Sequence, residues 1–424
     1  MVVSLLLSAN NPTVGSPVSP MSDISETRAA LGRDILVMAL VGIAHFSSHF
    51  FQLALAPLFP HLRDAFDVSY ATLGSVATTF YLASGICQAF AGILVDRYGA
   101  RPMLLGGIAT MATCIGLSGV VSEFWMLYPL AVLAGIGNSV FHPADFSLLS
   151  SQVSKPRLGR AYGVHAFSGT AGYAVAPLLI GGIAAAFDWR TALIAAGLLG
   201  WGVVVLLVRF GHELAGDVVP VQRTEAALPI SYARLIATPA IMMGFTYFLL
   251  TAAAGIGFQT FSTASLVELY GVPLNVAVSA LTAYLGASAA GILLGGVLAD
   301  RTDRYALVAT LGLGTCATLM LVVASGWLSF AAVIAAVAMA GLAQGITAPS
   351  RDILIKGVTP KGATGKVFGF VYSGLDAGST LAPVMFGFLL DHHATTLVFA
   401  VIGALFAAAI LSVLSVARRE AAMD

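Results

Sequence analysis

Charge is scarce in this sequence. Asp, Glu, Lys and Arg together make up 9% of its 424 residues, against 58% hydrophobic ones. A soluble chain of that length needs far more polar surface to cover itself, so a soluble globular protein is excluded. Cysteine is nearly absent as well. Cys87, Cys114 and Cys316 are odd in number and each sits inside an apolar run, which argues against a disulfide framework and offers no metal-ligand spacing. No G-x-x-x-x-G-K-[ST] stretch occurs, so this chain carries no nucleotide site to drive work. Neither H-E-x-x-H nor G-x-S-x-G occurs, which removes the usual signs of an intramembrane enzyme. No basic cluster interleaved with aromatics points to nucleic acid. The short alternating segments of a membrane β-barrel are missing too. No cofactor is expected.

What remains is a succession of apolar runs of about 20 residues, each long enough to cross ~30 Å of hydrocarbon. Twelve spans are expected, at 35–59, 74–95, 102–121, 125–149, 162–186, 190–209, 239–262, 275–299, 305–324, 328–350, 367–389 and 394–416. Residues 1–33 read as a disordered cytoplasmic leader, with a true start at Met21 left open. Residues 34–209 and 239–416 read as two six-helix halves, 210–238 as a polar cytoplasmic linker, and 417–424 as a cytoplasmic tail. With the N-terminus inside, only Arg63 and Arg190 of the 20 Lys and Arg residues fall outside. That bias sets both termini in the cytoplasm.

The chain repeats itself. "AGIGNSVFHPAD" (134–145) aligns with "AGLAQGITAPSRD" (340–352), so that Gly135 meets Gly341 and Pro143 meets Pro349. The same offset takes Gly163 to Gly369 and Gly172 to Gly378. A repeat that keeps one orientation relates two halves by an axis along the membrane normal and puts a substrate site at their interface, near the midplane. The scarce charges recur with it. "GILVDRYGARP" places Gly92, Asp96, Arg97, Gly99 and Arg101 after helix 2, and "GGVLADRTDR" places Gly296, Asp300, Arg301 and Arg304 after helix 8. Gly92 suits a close helix approach. Asp96 sits where a carboxylate can meet the positive N-terminus of a helix from the other half. In the second copy Asp303 stands where the first has Gly99, so its turn is expected to differ.

Twelve helices arranged 6+6, with G-x-x-x-D-R-x-G-x-R after helix 2 and a degraded copy after helix 8, resemble the major facilitator superfamily. The resemblance covers about 35–416 and implies its all-α, polytopic fold of twelve transmembrane helices in two six-helix halves. It also implies helix 11, starting near Lys366, as the neighbour of Asp96, and helix 5, near Tyr162, as that of Asp300. "HFSSHFFQ" in helix 1 and "GIGNSVFHPAD" in helix 4 further resemble the fosmidomycin-resistance-like branch of efflux carriers. "AGYAVAPLLIGG" in helix 5 is a degraded form of the glycine–proline motif of proton/drug antiporters, with Ala176 where glycine is usual.

Ionisable residues at membrane depth are costly and mark function. Helix 1 carries His45, Ser48, His49 and Gln52 at i, i+3, i+4 and i+7, one face of a helix. Helix 4 carries the stripe Asn138, His142 and Asp145, with Pro143 loosening the backbone. By the repeat, helix 10 presents Gln344 and Arg351 at matching depths. Helix 11 carries Tyr372 and, near mid-span, Asp376. The expected cavity is lined by His45, Ser48, His49, Gln52, Asn138, His142, Gln344 and Tyr372. Asp376, held by Tyr372, is the first proton-coupling candidate, with His142, His45 and His49 behind it. Asp145 and Arg351 are expected to pair as an inner gate, with Asp352 pointing away round the helix. His165 reads as hydrogen-bonded to a neighbouring carbonyl, and Gln88 and Gln259 as links between helices. "DHH" (391–393) makes a poor metal cage, and no metal is expected.

The expected function is secondary active transport of a small organic solute by alternating access, proton-coupled and directed outward. Proton-linked uptake of a small organic acid is the alternative. The partners are the solute, protons and the bilayer of a bacterial-type inner membrane, and a monomer suffices.

Overall fold

The computed structural model describes residues 20–214, 238–299, 301–359 and 364–420, and the elements among them are helices. Within hydrocarbon every backbone N–H and C=O must be paired inside the chain, and long apolar helices meet that demand. They are α1 (Pro20–Gln52), α2 (Phe59–Phe66), α3 (Tyr70–Tyr98), α4 (Ala100–Ser118), α5 (Leu127–Asn138), α6 (Phe141–Gln152) and α7 (Leu158–Ala186). The rest are α8 (Trp189–Phe210), α9 (Pro239–Tyr270), α10 (Leu274–Ala299), α11 (Tyr305–Ala324), α12 (Phe330–Gly357), α13 (Thr364–Asp391) and α14 (Thr395–Glu420). Among the described residues eleven helical stretches are long and apolar enough to cross a membrane. The twelfth is α3, bent by 58° between Gln88 and Phe90. The chain is a multi-pass membrane protein.

Glycine sets how closely these helices pack. A Cβ on Gly135 would lie 2.4 Å from Phe80 O, and one on Gly341 would lie 2.0 Å from Tyr284 O. Thus α5 presses on α3 where α12 presses on α10, at equivalent points of the repeat. Gly172 against Phe46 O (2.2 Å) and Gly378 against Leu249 O (2.3 Å) repeat the crossing of α7 on α1 in that of α13 on α9. The internal repeat is therefore structural as well as sequential.

The halves meet along two seams, α3 with α13 and α7 with α10. On the first, Thr78 Oγ1 donates to Thr380 O at 2.7 Å, and a Cβ on Gly74 would fall 2.3 Å from Pro383 O. On the second, a Cβ on Gly181 would meet Val278 at 3.3 Å. All these contacts lie toward the face opposite the termini. At the termini face a Cβ on Gly92, Gly163 or Gly296 would meet nothing within 4 Å, and Asp96 and Arg97 are exposed. The central cavity is closed opposite the termini and open beside them.

Several local expectations change. Helix α1 starts at Pro20, inside the segment read as a disordered leader, because "SETRAALGRD" is made mostly of good helix formers. The tail read at 417–424 is helical as far as Glu420, and residues 215–237 of the linker lie outside the described residues. The span expected at 125–149 is two helices, broken at Ser139–Val140. Pro143 has no N–H to return to Ser139 O, which weakens the helix at that turn, although α7, α12 and α13 run unbroken through Pro177, Pro349 and Pro383. Asp34, 3% exposed, accepts from the Ser154 hydroxyl at 2.6 Å and from Arg157, tying α1 to the start of α7. At the other face Asp188 caps α8 by accepting from Thr191 N–H at 2.7 Å, which holds its carboxyl below the usual carboxylate range.

Gly345→Ala would push a methyl to 2.1 Å from Ser288 O. The expected loss is about 1–3 kcal/mol, read as a lower thermal midpoint in detergent. Gly106→Ala, whose Cβ meets nothing within 4 Å, is expected to leave the midpoint unchanged.

Candidate functional site

Helix periodicity puts His45, Ser48, His49 and Gln52 on one face of α1, and that face turns toward α5, α6 and α7. At its centre is Asp145, with no exposed surface. Its Oδ2 is 3.1 Å from His165 Nε2 in a hydrogen bond and 3.0 Å from His45 Nδ1. The His45 nitrogen lies off the line that an N–H···O bond needs and so stays unpaired, as does Asp145 Oδ1. The rings of His45 and His165 stack with centroids 3.6 Å apart. His49 and His142 stand 4.5 and 5.5 Å from His45. His142 is exposed in the open cavity, while His45 and His165 are buried. Gly169 makes room: a Cβ there would lie 2.8 Å from His45 Nε2 and 3.0 Å from His49 Cε1.

Toward the closed face the cluster passes into a neutral network. Ser48 donates to Asn138 Oδ1 at 2.8 Å, and Gln52 Nε2 donates to the same oxygen at 3.1 Å. Asn138 Nδ2 donates to Ser84 at 2.9 Å, and Tyr173 donates to Gln52 Oε1 at 2.7 Å. The amide is thereby used at both ends. The other half repeats the theme on Gln344, whose Oε1 accepts from Tyr284 at 2.9 Å and from Ser288 at 3.5 Å. Ser84 and Ser288 occupy equivalent places on α3 and α10.

Two expected pairings are not made. Asp145 faces the histidines of its own half. Arg351 forks onto Asp352, with Nε 2.9 Å and Nη2 3.3 Å from its two oxygens, and lies 4.5 Å over the Phe248 ring. The inner gate pair is thus absent with the termini face open, since Asp145 turns to imidazoles and Arg351 to a carboxylate, each within its own half. Asp352, expected to point away, is the partner. Tyr372 likewise donates to Asp352 at 3.1 Å rather than to Asp376. The Asp376 carboxylate lies against α3, where a Cβ on Gly85 would be 3.4 Å from its Cγ, and it makes no side-chain hydrogen bond among the described residues.

His45, His142 and His165 bring one ligand nitrogen each within 4.8 Å of one another. Stacked imidazoles aim their in-plane lone pairs side by side rather than at a common point, so the arrangement suits a proton shared with Asp145 better than an ion.

The family model of the Major Facilitator Superfamily matches residues 41–281 and 245–423, nearly all of the membrane region. The chain belongs to the major facilitator superfamily. It is 24% identical over 376 residues to the fosmidomycin resistance protein of Escherichia coli, covering 86% of this chain and 88% of that protein. It is 34% identical over 139 residues to the multi-drug resistance efflux pump PmrA of Streptococcus pneumoniae, about a third of each chain (32% and 33%). The fold is shared with a bacterial homologue of the human lysosomal transporter Spinster in an inward-facing, occupied conformation. That match has a TM-score of 0.70 at 14% identity and covers 91% of this chain and 95% of that one. It is shared also with a mutant of the nucleoside transporter NupG, with a TM-score of 0.71 at 12% identity and 90% and 99% covered. The relatives are transporters rather than enzymes.

The loop motifs of this superfamily member differ from each other. Gly99 alone joins α3 to α4, at φ +91°, a backbone that favours glycine. In the second copy α10 ends at Ala299 and α11 begins at Tyr305, and Asp303 takes no such conformation. Arg97 lies 5.3 Å over the Tyr98 ring, and Arg101 reaches Val208 O at 3.4 Å. Asp96, Arg301 and Arg304 are exposed, and Asp300 lies outside the described residues.

Sequence reasoning missed His165 as the partner of Asp145. A depth count could have found it: His165 is two turns into α7 from the termini face, level with Asp145 two turns before the end of α6. Asn138→Ala should strand Ser48, Gln52 and Ser84. It is expected to cost about 1–3 kcal/mol, measured as loss of thermal stability in detergent.

Proposed function

We propose that this chain is a proton-coupled secondary active transporter that exports a small organic solute by alternating access, with both termini in the cytoplasm of a bacterial-type inner membrane. The observation that carries this reading is Asp145, fully buried and flanked by His45 and His165 at 3.0 and 3.1 Å. Among the described residues no Lys or Arg forms an ion pair with it, so neutrality inside the membrane requires a proton, on the carboxylate or on an imidazole. Two imidazolium ions stacked at 3.6 Å would repel, so the two rings do not carry added protons together. His142, exposed in the open cavity, links this buried acid to water. A group loaded and unloaded in this way biases which face opens, because each protonation state favours one conformation.

The solute meets aromatic and hydroxyl groups rather than free charge. Arg351, the cation an importer of organic acids would use, is already engaged by Asp352. That engagement, with relatives named for resistance and efflux, supports export over uptake. Both readings share one chemistry at Asp145 and differ in the direction of the solute.

The test is transport in proteoliposomes under an imposed pH gradient. Asp145→Asn is expected to lose gradient-driven movement while solute exchange, which needs no net proton movement, survives. His165→Gln is expected to weaken coupling about tenfold or more by removing one hydrogen bond to the acid. Asp376 is the second reading, favoured by its unpaired place on the α3 seam. If Asp376→Asn uncouples transport and Asp145→Asn does not, the proton resides there instead.

A further inference from the structure

Each helix of the α3–α13 seam ends in an aspartate. Asp96 lies in the last turn of α3, and Asp391 is the last residue of α13. A carboxylate there faces the negative end of its own helix, an unfavourable place unless something outside the helix compensates. For Asp391 the compensation crosses between the halves. Its Oδ1 accepts from Tyr70 N–H at 2.6 Å and its Oδ2 from Ala71 N–H at 2.8 Å, the first two residues of α3. These are among the N–H groups that a helix cannot satisfy for itself. The next, of Thr72, is taken by the local cap Ser69 at 3.1 Å. One half therefore completes the helix cap of the other, with an ionised acceptor on two backbone donors.

We propose that Asp391 is the latch that holds the face opposite the termini closed, working against the contact of Asp96 with the start of α13 that the superfamily resemblance implies. An antiparallel register sets 70 beside 391, 78 beside 380 and 85 beside 376, short of the 58° bend of α3 at Gln88–Phe90. Carried past that bend by a closing movement, the same register would bring 96 opposite 365, in the first turn of α13. Asp96 is exposed here because that end is open. When the halves rock, Asp391 must release the start of α3 as Asp96 reaches the start of α13. One carboxylate–helix contact is exchanged for another, so the two states stay close in energy. The α7–α10 seam has no counterpart of the outer latch: the repeat places Ala185 where α13 has Asp391, and packing of Gly181 on Val278 serves instead.

The inference rests on alternating access but on neither the solute nor the proton, so it is read without transport. Spin labels at exposed positions Glu123 and Trp327, in loops of the two halves at the latched face, report its opening. The full chain is placed in liposomes with Cys87, Cys114 and Cys316 replaced by alanine. Asp391→Asn is expected to raise the long-distance population about tenfold. Tyr70→Pro removes one donor without breaking the helix, since proline suits a first helical position and Ser69 is already extended. It should exceed Tyr70→Ala, which loses the same ring and keeps the N–H. Asp96→Asn should shift the population the other way. If two distances are present and neither Asp391→Asn nor Tyr70→Pro changes their ratio, the latch is wrong and alternating access stands. A single distance in every variant, with or without a pH gradient, removes both.

Discussion

Helices surrounded by lipid gain nothing by hiding apolar surface from one another, so close backbone packing has to supply the attraction. In this chain that packing rests on glycines set against carbonyl oxygens of the facing helix. Gly135 on Phe80 and Gly341 on Tyr284 fix how α5 and α12 lie on their neighbours, and Gly172 and Gly378 do the same for α7 and α13. With those crossings fixed, the rotation of each helix follows, and with it the direction of every polar side chain at mid-membrane. The stripe on α1 meets α5 and α6 because Gly172 brings α7 close and Gly169 leaves room for two imidazoles.

The same closeness makes polar groups demanding, since an acid or amide between packed helices has no water to fall back on. Asn138 answers by bonding at both ends, and Arg351 by folding onto Asp352. Asp145 is answered less fully. One of its oxygens bonds His165 and lies near His45, and the other has no partner, as Nδ1 of His45 and Nδ1 of His49 have none. A fully buried acid among incompletely bonded imidazoles has room to exchange a proton, and the proposed proton coupling rests on it.

Much of this was legible in the residues. The helix count follows from hydrocarbon thickness, and the stripes at 45, 48, 49, 52 and at 138, 142, 145 follow from helical spacing. Both arise from constraints along a single chain segment. Pairing across helices was not legible in the same way. His165, Asp352 and the true partner of Tyr372 depend on how far each helix is turned about its axis, and distant backbone contacts set that turn. Tyr372 and Asp376 share a face of α13, yet the tyrosine reaches α12. The break before Pro143 was half visible: the proline announced a loosened backbone, but Pro349 sits inside an unbroken α12.

The single glycine between α3 and α4 makes a stiff elbow, because one residue at positive φ leaves no slack between two helices. Between α10 and α11 five positions, 300–304, separate the helix ends. The two copies of the repeat are therefore jointed differently. In the half that carries the histidine cluster, any turn of the end of α3 has to be followed at once by α4. The second copy does not impose that coupling through a single residue.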